Sequence, residues 1–130
     1  MRLTLTDWHR ETFAVHLQAD PVLSLPERAE LVRGALSGPF GVYAGTPSTA
    51  GHQSNGRKAY TLVHMPSQMA HLTLPREGLC RQAAAELAGC DLAWESAWVL
   101  GVVGPGMEDA REVYNRWKSW GHRRSWGERR

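Results

Sequence analysis

The stretch TFAVHLQ, residues 12–18, alternates residue by residue. Phe13, Val15 and Leu17 fall on one side, and Thr12, Ala14, His16 and Gln18 on the other. A strand turns successive side chains to opposite faces, so this is the pattern of a strand with one buried face. It constrains the chain strongly, because a slip of one residue would expose all three apolar side chains together. RLTLT, residues 2–6, alternates in the same way, and the polar DWHRE between the two segments suggests a hairpin. FGVYA, residues 40–44, reads as a further short strand. KAYTLVHMPSQMAHLTL, residues 58–74, reads as a second hairpin bending at residues 66–69. A two-residue turn at Ser67 and Gln68 would set Val63 opposite Leu72, Met65 opposite Ala70 and His64 opposite His71. Tyr60, His64, His71 and Thr73 would then share the polar face.

Helical periodicity accounts for much of the remainder. In LSLPERAELVRGALSGPFG, Ser24 and Glu27 fit a capping box, and Pro26 suits a first turn. Leu25, Ala29, Val32 and Leu36 follow at helical spacing, with Gly38 and Pro39 as a stop. LTLPREGLCRQAAAELAG carries a stripe of Leu79, Ala83, Leu87 and Cys90, closed by Gly89. The paired starts LSLPER and LTLPRE suggest a repeated ββα unit. Residues 91–104 fit strand and short helix equally. MEDAREVYNRWKSW, residues 107–120, is acidic at its start and basic at its end, as a helix dipole favours. Ala110, Val113, Trp117 and Trp120 share one face of it, and Gly121 marks its expected end.

On this reading residues 25–88 run α-β-β-β-α. That order is similar to the double-stranded-RNA-binding domain, and RQAAAELA resembles the alanine-rich second helix of that family. The resemblance covers about half the chain and implies contact with nucleic-acid backbone. The chain departs from the family where its lysine cluster should stand, since LPREG offers only Arg76 beside Glu77.

The expected fold is α+β: an antiparallel sheet of four to six strands with two or three helices packed on one face. Residues 1–121 form one globular domain in this reading, and residues 122–130 a basic C-terminal tail. The longest apolar run, AWVLGVVG, is far shorter than the ~20 residues of a membrane span, and the N-terminus turns polar too early for a signal peptide. A cytoplasmic protein without membrane contact is the expectation.

Charge is unevenly spread. Residues 116–130 hold six basic side chains against one acid, whereas the rest of the chain is net acidic. The basic end points to an anionic partner, with Arg123, Arg124, Arg129 and Arg130 on phosphates and Trp126 stacked on a base. Catalytic signatures are missing: there is no Gly-x-Ser-x-Gly elbow, no phosphate-binding loop, and the acids are scattered over helix surfaces. No metal or cofactor is expected either, because the ligand spacings are absent and Cys80 and Cys90 are too far apart along a helix to bridge. The favoured function is therefore a small non-enzymatic binding protein. It would dock on a protein partner through Tyr60, His64, His71 and Thr73, as an inhibitor or accessory factor of a larger complex. A nucleic-acid binder using the tail, and a small enzyme of unknown reaction, are the alternatives.

Overall fold

The computed structural model describes residues 2–51, 58–96 and 105–127, with backbone alone at 105 and 120–127. Five strands come first, β1 (His9–Leu17), β2 (Arg28–Ser37), β3 (Phe40–Ala44), β4 (Tyr60–His64) and β5 (Met69–Leu74), followed by the helices α1 (Glu77–Ala88) and α2 (Pro105–Gly127). The strands form one antiparallel sheet in the order β1-β2-β3-β4-β5, so each strand pairs with its neighbour in sequence. The fold is α+β, with one five-stranded sheet and two helices.

The alternation of residues 12–18 sets the inner face. Phe13, Val15 and Leu17 of β1 pack with Val32, Tyr43 and Val63 in one buried cluster. The opposite face of β3, β4 and β5 supplies Phe40, Val42, Leu62, Leu72 and Leu74 to a second cluster, which α1 covers with Cys80, Ala83, Ala84 and Leu87. β3 and β4 are thus buried on both faces; β3 is apolar throughout, and β4 buries Thr61 and His64 beside Leu62 and Val63. α2 lies against α1 and β5. Between the helices, residues 91–96 form an irregular loop held down by Trp94, which is 1% exposed.

The sheet curls back on itself. β1 pairs with β2 along nine residues, but β2 meets β3 only from Ala35 to Ser37. Gly34 is where the two part: a Cβ there would stand 2.1 Å from the Val42 carbonyl oxygen, so only glycine permits the crossing. The β1–β2 hairpin then leans over the inner face towards the β4–β5 turn. Gln68 in that turn accepts a hydrogen bond from the His16 N–H at 3.0 Å, and its amide donates to the Ala14 carbonyl at 3.4 Å. The side-chain amide does what one residue of a neighbouring strand would do. The result is a half-open barrel, with the outer edges of β1 and β5 facing each other across a slot.

Several expectations are corrected. Residues 28–37 are a strand, not a helix. Glu30, Val32, Gly34 and Leu36 form one side of it, and pairing with β1 buries Val32 against Phe13 while Leu31 stands 75% exposed. Gly38 does adopt the left-handed conformation (φ 54°), but in the β2–β3 turn instead of a helix cap. Ser24 is likewise left-handed, at the hairpin tip, where Asp20 Oδ1 accepts from the Val22 and Leu23 N–H groups. The repeated ββα unit and the α-β-β-β-α order both needed that helix. Neither is present, and the likeness to the double-stranded-RNA-binding domain goes with them. Residues 2–6 form no strand; the Leu3 N–H instead donates to the Ala88 carbonyl at the end of α1. α2 continues through Gly121 to Gly127. Of the stretch left open between strand and helix, residues 97–104 lie outside the described residues.

Candidate functional site

The β4–β5 hairpin carries the polar face singled out from the sequence, and its register decides what that face can do. The observed pairs are Leu62 with Leu72, Val63 with Ala70 and His64 with Met69, so the pairing skips His71. The turn is longer than two residues: the Met65 N–H is taken by the Pro39 carbonyl, and Gln68 bends the chain back with φ 58°. The resulting bulge turns His71 towards Tyr114 of α2 and towards His64, with ring centroids 6.2 and 6.1 Å away.

The four polar residues therefore part company. His64 is 0% exposed and lies under Trp94. Its Nε2–H donates to the Trp94 carbonyl at 2.5 Å, and its Nδ1 accepts from the Ser67 hydroxyl at 2.7 Å. The carbonyl can only accept, which fixes the neutral tautomer with the proton on Nε2. Burial holds the His64 pKa below its ordinary value, against the opposing pull of the Trp94 carbonyl and Glu95. Ser67, His64 and a carbonyl in line look like a nucleophile with its base. However, an imidazole sealed from solvent has no route to a leaving group, and the set works as a clamp between the turn and residues 91–96. Tyr60 is half-buried against the helix-side core. Thr73 is exposed, with its hydroxyl 3.1 Å from that of Thr61. His71 is partly buried, and burial together with the neighbouring His64 lowers its pKa to about 4.

His71 and Thr73 do come together, on the outer edge of β5. The Met65 N–H and Ala59 carbonyl point to β3, so alternation turns Leu62 and Tyr60 towards β5 and bonds them to Leu72 and Leu74. The N–H and C=O of Thr73 then face away from the sheet. Among the described residues, no backbone–backbone hydrogen bond outside the sheet ladders involves β5. A groove of about 360 Å³ follows this edge, walled by Gln18 and Pro47 on one side and Tyr114 and Lys118 on the other. It is continuous at Ala70 with the slot beside β1, of about 490 Å³, which His16, Ser67 and Gln68 line. Among the described residues, Lys118 is the only cation lining the groove, and its ammonium sits 5.7 Å from the Tyr114 ring.

Of these residues, Gln18, Pro47, Tyr114 and Lys118 are not recognisable from the sequence, because they border the edge only through the curl of the sheet and the docking of α2. One signal was available: MAHLTL contains no Lys, Pro or acid, the residues that guard an exposed edge strand.

The expected tail is partly helical. The backbone of Arg123, Arg124 and Trp126 belongs to α2; their side chains, and all of Arg129 and Arg130, lie outside the described residues. Trp117 donates its indole N–H to Glu86 of α1, which Arg116 also contacts at 3.1 Å. Trp120 falls outside the described side chains. Cys80 and Cys90 are free and buried, and burial pushes the Cys80 thiol up to about 12. Among the described residues, no three His, Cys, Asp or Glu side chains are grouped to hold a metal, and no helix is long and apolar enough to cross a membrane.

No family model, curated protein or solved structure matches the chain.

Proposed function

We propose that the protein is a non-enzymatic binding module that takes an extended segment of a protein partner as an added strand on β5. The observation that carries this reading is the outward-facing backbone of Thr73 in a groove with built walls. Strand addition draws its affinity from main-chain hydrogen bonds and its selectivity from the pockets that receive alternate side chains. Here the edge strand supplies the hydrogen bonds, and His71, Tyr114 and Lys118 border the path of the added segment. Lys118 favours a segment with an acidic residue beside α2. A module of this kind suits an accessory factor or inhibitor that captures a loop or terminus of a larger complex.

The test is binding of a fluorescently labelled short peptide alternating valine and glutamate. Thr73→Pro removes the outward N–H and leaves the ladder to β4 untouched, because that N–H takes no part in it. Its affinity is expected to fall about tenfold or more, the equivalent of one or two hydrogen bonds. Thr73→Val keeps the N–H and is expected to bind as the parent does. Equal affinity for the proline variant and the parent, with both folded, contradicts strand addition on β5.

A further inference from the structure

Val22 and Leu23 stand side by side at the tip of the β1–β2 hairpin, 91% and 55% exposed. The tip is firmly built. Asp20 Oδ1 accepts from the Val22 and Leu23 N–H groups, Asp20 and Leu25 exchange backbone hydrogen bonds at 2.9 Å, and the Ser48 hydroxyl donates to Asp20 Oδ2 at 3.1 Å. Pro21 and Pro26 stiffen the flanks. Ser24 is held at φ 55°, a left-handed conformation that a non-glycine residue keeps only where its surroundings impose it. Hairpin tips are ordinarily made of Gly, Asn, Asp and Ser, so two branched apolar side chains fixed in solvent form a preorganised knob.

The same chain carries a hole. An open cavity of about 210 Å³ lies between β5, α1 and α2, lined by Met69, Leu87, Trp94, Met107 and Ala110, and Met69 in that lining is 51% exposed. We infer that the hairpin tip of one copy of this chain docks in this cavity of a second copy, with Val22 and Leu23 among its apolar side chains. Size fits. A cavity of roughly 150 Å³ accepts benzene, so about 210 Å³ accommodates a leucine side chain. Charge fits as well. Residues 20–30 carry the acids Asp20, Glu27 and Glu30 against Arg28 alone. Among the described residues, Arg111 is the only charged side chain lining the cavity, and it is exposed and forms no ion pair. An acidic knob thus meets a cationic rim. The same acidity, with no aromatic ring at the tip, disfavours an anionic bilayer as the occupant. The tip of the same chain does not fill the cavity, since Asp20 is tied to Ser48 and no tip residue lines it. Knob and cavity are different surfaces, so the contact between copies is heterologous. The inference does not rest on strand addition, since Thr73 and Lys118 take no part in this cavity.

The experiment is sedimentation velocity of the full chain over a concentration series up to about 1 mM, the weak end of specific association. The parent is expected to associate reversibly. Leu23→Asp spoils the knob and Met69→Glu spoils the cavity, and each is expected to weaken self-association about tenfold or more, since a charge replaces buried apolar surface. Both side chains are exposed, and far-ultraviolet circular dichroism checks that both variants fold. Should Leu23→Asp fail to fold, Val22→Asp takes its place. An equimolar mixture of the two variants decides, because each brings the surface that the other lacks: it is expected to associate where neither does alone. The inference is overturned if the parent stays monomeric, if either variant associates as the parent does, or if the mixture does not associate. A monomeric parent that binds phosphatidylcholine vesicles through the tip also overturns it, by assigning the knob to a membrane.

Discussion

Trp94→Ala is expected to destabilise the protein by about 3–5 kcal/mol, the range for truncating a large buried aromatic. Total stabilities of domains this size run from about 5 to 15 kcal/mol, so this one change removes a large share. The reasons are local and additive. The indole fills the space between Phe40 and His64, with ring centroids 5.2 and 5.7 Å away. Its Nε1–H donates to the Cys90 carbonyl at 3.0 Å, a hydrogen bond that truncation removes. Its own carbonyl holds His64 Nε2, so moving the loop disturbs the clamp on the β4–β5 turn. Residues 91–96 have no strand or helix of their own to keep them in place. Trp94→Phe keeps most of the volume and loses the N–H, and about 1–3 kcal/mol is expected. Urea denaturation measures both, and a loss below about 1 kcal/mol for the alanine variant, typical of surface sites, contradicts the packing described.

Stability is expected to fall as the solution is acidified from pH 6.5 towards pH 4. Burial depresses the pKa of His71 from 6.5 to about 4 and moves His64 in the same direction. Between those values the unfolded chain binds protons that the folded chain refuses, so acid favours unfolding. The contribution is complete above about 6.5 and is lost as pH falls to about 4. For His71 alone the shift corresponds to about 3 kcal/mol, at 1.36 kcal/mol per pH unit. His71→Gln removes the titrating group and is expected to flatten the profile in this window. Parallel profiles for parent and variant contradict the burial assigned to His71.

Much of the architecture is legible in particular residues. The alternation from Thr12 to Gln18 identified β1 and its buried side, and the stripe of Leu79, Ala83 and Leu87 identified α1. The segment 28–37 was not legible, for a physical reason. AELVRGAL suits a helix by local propensity, while its two-residue alternation becomes meaningful only once Phe13 lies opposite Val32. Gly38 signalled a left-handed residue correctly, but a helix stop and a hairpin turn need the same backbone conformation. In the candidate site, Thr73 and His71 were visible as polar residues of a hairpin. The burial of His64 was not, because Trp94 reaches it from a loop thirty residues further along the chain. The bulge that skips His71 was also hidden, since unbroken alternation sets Val63 opposite Leu72 and not opposite Ala70.

Backbone amide NMR shows whether a partner strand docks on the outer edge of β5, as proposed. The labelled protein is titrated with the valine–glutamate peptide while amide shifts and hydrogen exchange are followed. The Thr73 amide is expected to show a large shift and slowed exchange, because it gains a hydrogen bond, with smaller shifts at Tyr114 and Lys118 along the wall. An unmoved Thr73 amide, with the largest changes on the β1–β2 hairpin or the C-terminal half of α2, would contradict the account.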